Sequence, residues 1–142
     1  MDNKIEKIIV KSFVKDIKQN RVIYELSNKS KRDNAIWKIE DYVDDKYKTH
    51  ILKGISSYNE IEKMLKTYGA TDNCYVISLN SKIDGKNILL SDALKEIVFC
   101  GPGLISCIHG KLAYLEGEMD IGANRFLLIN WDFLNHISFL FA

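Results

Sequence analysis

Cys107 and His109 put a thiol and an imidazole two residues apart, with Cys100 seven residues upstream, and these are the side chains best suited to bond-making. On a strand, residues 107 and 109 share a face, so the two groups could pair. A cysteine nucleophile also needs its base held by a third group, and a structural zinc site needs four ligands in tight pairs. The chain has no Cys-x-x-Cys and no His-x-x-x-His. A core cysteine beside a turn histidine is therefore favoured over a small Cys/His enzyme, and the residues name no metal and no cofactor. Gly85-Lys86 and Gly101-Pro102-Gly103 lack the loop length and following helix of a phosphate cradle, so their glycines read as turn chemistry.

Carboxylates are more concentrated than nucleophiles. Glu40, Asp41, Asp44 and Asp45 fall within six positions, and like charges this close repel by a few tenths of a kcal/mol per helical pair. A basic partner would relieve that cost. A solvated turn partly neutralised by Lys38, Lys46 and Lys48 is the competing reading. A second group, Glu116, Glu118 and Asp120, follows an apolar run and forms an acidic rim that could serve acid–base chemistry or a weak divalent site, or simply face solvent. Tyr42, Tyr47 and Trp37 stand beside the first group as candidate aromatic anchors.

The elements that must position these residues are short. Apolar runs at 104–108, 112–115 and 126–129, bounded by Gly, Asp or Asn, predict three strands, with His109-Gly110 turning the first into the second. A buried strand is predicted at 75–79, another at 21–26, and Asp84-Gly85 predicts a tight turn closing a small hairpin. Ile5, Ile8, Ile9, Phe13 and Ile17 recur at helical spacing and predict a helix over 3–18 with Lys4, Lys7, Lys11, Lys15 and Lys18 on its outer side. Ser57 with Glu60 is a capping box opening a helix through about residue 68, ended by Gly69. Ser91 is the expected cap of a helix to about residue 99. Residues 33–47 have broadly helical spacing, and the apolar tail from Asn130 reads as a closing strand or a short helix. The expected fold is α+β, a single domain over 1–142 with a mostly antiparallel sheet of about five strands packed against two to four helices.

With 142 residues and 46% hydrophobic content the chain can bury a substantial core. Its 20 basic and 19 acidic side chains nearly cancel, so no overall field favours nucleic acid, an anionic membrane or an acidic substrate. The lysine side of the first helix lacks aromatic interleaving and reads as a solvated face rather than a nucleic-acid adaptor. An odd number of cysteines among apolar neighbours, no secretion signal at the charged N-terminus and no apolar run of membrane length point to the cytoplasm.

The segment IDGKNILLSDALKEIVFCGPG, continuing through ISCIHGKLAYLEGE to RFLLIN, resembles the small immunity proteins of bacterial contact-dependent growth inhibition and related polymorphic toxin systems. The similarity covers residues 74–130 and rests on its order of turn, helix and strands. It implies a non-enzymatic cytosolic protein that binds and neutralises the toxic C-terminal domain of a cognate effector, commonly a nuclease, by covering its active site or blocking its substrate path. Many immunity proteins against basic nucleases are acidic, whereas this chain is balanced. On that reading the toxin-binding residues are Glu40, Asp41, Tyr42, Asp44, Asp45 and Tyr47, with Glu116, Glu118 and Asp120, and the partner is a protein rather than a membrane or nucleic acid.

Overall fold

Strands whose two faces are both covered lose the alternation of apolar and polar residues and become continuous apolar runs. The computed structural model, which describes residues 1–51, 57–118 and 124–131, shows this for β4 (Gly103–Ile108), β5 (Leu112–Glu116) and β6 (Arg125–Ile129). Ala113, Leu115, Phe126 and Leu128 enter one core, and Leu112, Tyr114, Leu127 and Ile129 enter another on the opposite face. With β1 (Lys48–His50), β2 (Asn73–Ser78) and β3 (Asn87–Leu89) they form a six-stranded sheet, β1-β6-β5-β4-β2-β3, antiparallel throughout. Its two edges are three-residue strands, short enough to blunt edge-to-edge pairing. This is a single α+β domain as the sequence implies, with one more strand than expected.

The first core is closed by α1 (Asn3–Phe13), α2 (Gln19–Ser27), α3 (Arg32–Trp37) and α4 (Ile39–Tyr42), and the second by α5 (Tyr58–Thr67) and α6 (Leu90–Ile97). Ser57 caps α5 as the sequence requires, accepting from the Glu60 amide at 3.2 Å, while the Glu60 carboxylate accepts from the Ser57 hydroxyl at 3.0 Å rather than from its amide as a full capping box would. Gly69, at φ 106°, follows the helix end. No helix among the described residues is long and apolar enough to cross a membrane.

Five expectations are corrected. The first helix stops at Phe13 rather than residue 18, because Val14 turns extended and pairs with Val43, and Gln19 Nε2 satisfies the Val14 carbonyl at 3.0 Å. Residues 21–26 are helical, not a strand: Val22 and Leu26 both bury against α1 at i,i+4 spacing, and Arg21 pairs with Glu25 at 2.7 Å on the same helix. Residues 33–47 break at Lys38 into two short helices and end in a 3-10 turn, Asp45–Tyr47. Leu90 rather than Ser91 opens α6, its amide bound to the Asp72 carbonyl at 2.7 Å. Asp84-Gly85 belongs to the longer connection between β2 and β3, where Gly85 adopts φ 71°. Of the apolar tail, only Asn130 and Trp131 lie within the described residues.

Candidate functional site

The structure separates Cys107 from His109. A register shift between Ser106 and Ile108 interrupts the strand alternation, so the thiol packs in the α5/α6 core while the imidazole turns to Ser106 Oγ, 2.7 Å from Nδ1, and edge-on to Tyr75 of the other core. Burial raises the Cys107 thiol far above its ordinary range and the Cys74 thiol to about 12, which keeps both protonated and poor nucleophiles at neutral pH. Among the described residues no group of three His, Cys, Asp or Glu side chains is placed to hold a metal ion.

The carboxylates behave differently from one another. Glu40 is half-buried on α4, and its carboxyl lies so close to Gly117 that a Cβ there would come within 2.8 Å of Glu40 Cδ. This contact joins the two acidic segments of the sequence at one end of the sheet, just where Gly117 follows β5 and its amide reaches the Asn124 carbonyl at 2.9 Å. Glu40 Oε1 is buried and has no hydrogen-bond partner. Asp41 and Glu118 are exposed. Asp44 caps the 3-10 turn by accepting from the Lys46 amide at 3.1 Å. Asp45, 88% exposed at its side chain, pairs with Lys48 at 2.9 Å, and that hydrogen bond lowers its carboxyl below the usual range. Asp120 lies outside the described residues.

Three expected contact residues face inward instead. Tyr42 is only 5% exposed, its ring in the first core and its phenol raised by burial and then by the Glu25 carboxylate. Tyr47 is half-buried edge-on against Phe13, with ring centroids 5.5 Å apart. Glu116, expected on a charged rim, is 0% exposed. Its position on β5 directs it to the same face as Tyr114, toward the turn after α6. There Oε1 accepts from the Phe99 amide at 3.1 Å and the Tyr114 hydroxyl at 2.7 Å, and Oε2 accepts from the Cys100 amide at 3.2 Å. Burial raises its carboxyl above the ordinary range, the accepted hydrogen bonds opposing.

What Glu116 holds is a strained turn. Phe99 has φ 69°, the one non-glycine residue with positive φ among the described residues, and its side chain is 50% exposed. Arg125, opposite Glu116 in the β5–β6 ladder, stacks its guanidinium 4.4 Å from the Phe99 ring centroid, and its Nη1 is buried without a hydrogen-bond partner. An aromatic residue left outside between a helix and Gly-Pro-Gly, and a lone cation opening RFLLIN, were the available sequence signals for this pair. No protein-family model, curated protein or solved structure matches the chain. The end of the sheet thus carries Glu40 against Gly117, exposed Asp41 and Glu118, and the Phe99–Arg125 pair around Glu116.

A separate buried cluster has another role. Arg32 spends all five donors, two on Glu6 at 2.7 and 2.6 Å, two on Asp84 at 2.7 and 2.9 Å, and one on the Leu26 carbonyl at 2.8 Å. Tyr75 adds its hydroxyl to Glu6 at 2.6 Å. Burial alone would lower the guanidinium's pKa, but Glu6 and Asp84 outweigh it and raise the pKa above its ordinary value. Every donor is satisfied within the protein, so the cluster ties α1, α3 and the β2–β3 connection together.

Proposed function

We propose that this protein binds and neutralises the toxic C-terminal domain of a cognate effector in a contact-dependent growth inhibition system, acting without chemistry of its own. The contact of Glu40 with Gly117, 77 positions apart in sequence, supports the reading: it brings the two acidic segments to one end of the sheet. The resemblance of residues 74–130 to immunity proteins supplies the class of partner, and a nuclease is the effector activity it most suggests. Exposed Asp41 and Glu118 would meet lysine and arginine side chains that a nuclease uses for phosphate, which speeds association and excludes the substrate. An interface of about 1,600 Å² is sufficient for nanomolar binding when a few anchors are well buried.

Co-expression with the C-terminal toxin domain of a contact-dependent growth inhibition effector from the same genome tests the proposal. Growth of cells that produce the domain should be restored by this protein, and a stable complex should be recovered from them. Cells that die equally with and without it would refute the reading.

A further inference from the structure

We infer that the outer side of α1 is a docking site for an acidic, amphipathic segment of a second protein, seated on Ile8 and paired with Lys4, Lys7 and Lys11. The inference is independent of the neutralising reading above. These four residues and Ser12 line one open cleft of about 530 Å³. Its apolar member, Ile8, is 47% exposed. Gly110 of the β4–β5 turn passes so near this part of α1 that a Cβ there would lie 3.3 Å from Ile8 Cγ2 and 2.7 Å from Ser12 Oγ. Lys7 also edges a narrower cleft of about 180 Å³ between α1 and α2, walled by Val10, Ile23 and Leu26, with space on the scale of a single apolar side chain. An apolar centre ringed by charge is the layout of an interface core with its polar rim.

The charge chooses the occupant. Lys4 and Lys7 lie three residues apart and Lys7 and Lys11 four, so the ammonium groups repel along one side of the helix. Lys4 also stands in the first turn of α1, where the helix dipole disfavours a cation. Among the described residues none of the three forms an ion pair. The acids of this stretch are already committed, Asp2 to the Lys4 and Ile5 amides and Glu6 to Arg32 and Tyr75. Carboxylates from a partner relieve the repulsion. From Lys4 to Lys11 the helix rises about 10 Å, two turns, so a partner helix with carboxylates at matching spacing and an apolar residue between them fits the row. A nucleic acid would also meet three lysines, but no aromatic ring among the described residues lines the cleft to stack a base. An anionic membrane is a poorer match, because α1 spends Ile9, Val10 and Phe13 in the core and leaves Ile8 to insert alone.

The test is an NMR titration of the isotope-labelled protein with a synthetic alanine-based helix carrying glutamates at i, i+4 and i+7 and leucine on the same side. The same peptide with glutamine for glutamate, oligothymidine and phosphatidylglycerol vesicles are titrated in parallel. Amide shifts should gather at Lys4, Lys7, Ile8 and Lys11 and be lost with the glutamine peptide. Binding should weaken about tenfold in a Lys7→Gln, Lys11→Gln double variant and in Ile8→Ser, each with a wild-type urea midpoint. No shift at these amides with millimolar acidic peptide, or wild-type affinity in both folded variants, would overturn the inference. Tighter binding of oligothymidine or of the vesicles would make the cleft a nucleic-acid or membrane site and would equally overturn it. Shifts at the same amides that grow with protein concentration alone would make the occupant a second copy of the chain, again against the inference.

Discussion

Replacing Glu116 by Gln tests whether a buried carboxylate holds the turn that presents Phe99. Glu116 offers two acceptor oxygens to three donors, with the Phe99 amide and the Tyr114 hydroxyl sharing Oε1 and the Cys100 amide on Oε2. Glutamine keeps the shape but has one acceptor. With its oxygen in the Oε1 place, its NH2 faces the Cys100 N–H donor to donor. The loss is one charge-assisted hydrogen bond of about 1.5–3 kcal/mol and a weakening of two others, offset in part because no charge is then buried. A net destabilisation of about 1–2 kcal/mol is expected, which lowers the urea midpoint by about 0.5–1 M at an m-value of about 2 kcal/mol/M. The pH dependence has a definite sign. Burial raises the folded-state pKa above the ordinary glutamate value of 4.5, so the carboxyl's contribution is full below that value and is lost as pH rises through the raised one. The stability gap between wild type and Glu116→Gln should therefore be widest in acid and narrow toward neutrality. Chemical denaturation across that range, with the Phe99 amide followed by NMR, measures both. An unchanged midpoint with an unmoved Phe99 amide, or a gap that widens with pH, would refute the reasoning.

Arg32→Met strands Glu6 and Asp84 without their cation in the protein interior and should cost about 3–5 kcal/mol, read as a large drop in thermal midpoint by circular dichroism. Exposed Cys100 should react promptly with a thiol reagent in the native state, whereas buried Cys74 and Cys107 should react only on unfolding; three rapidly reacting thiols would contradict the packing. Cys107→Ser should preserve protection of cells while lowering stability by about 1–3 kcal/mol, since it buries a hydroxyl among apolar groups. Lost protection in a folded Cys107→Ser protein would argue for chemistry at the thiol.

The fold from Ser57 onward was legible because its strands are covered on both faces and its ends carry explicit signals: the turn His109-Gly110, with Gly110 at φ 79°, and the Ser57 helix cap. The N-terminal half misleads at RVIYEL, whose β-branched and aromatic content suggests a strand while tertiary packing selects the helical pairing of Val22 with Leu26. The site was half legible. Its acidic residues stood out as clusters, but their meeting depends on Gly117 passing Glu40, which local spacing does not encode. The inward turn of Glu116 was hidden for the same reason, because the amides it binds lie 16 and 17 residues earlier in the chain. Arg32 likewise finds its carboxylates 26 and 52 residues away.

The merged acidic end is tested most directly by charge reversal on its two exposed members. Calorimetric titration of the toxin domain it is proposed to neutralise into wild-type protein and into an Asp41→Lys, Glu118→Lys double variant would measure it, with stopped-flow association rates at low and high salt. Affinity should fall at least tenfold, mostly through slower association, and the difference should shrink as salt screens the charges. A folded double variant that binds with wild-type affinity and rate would contradict the account.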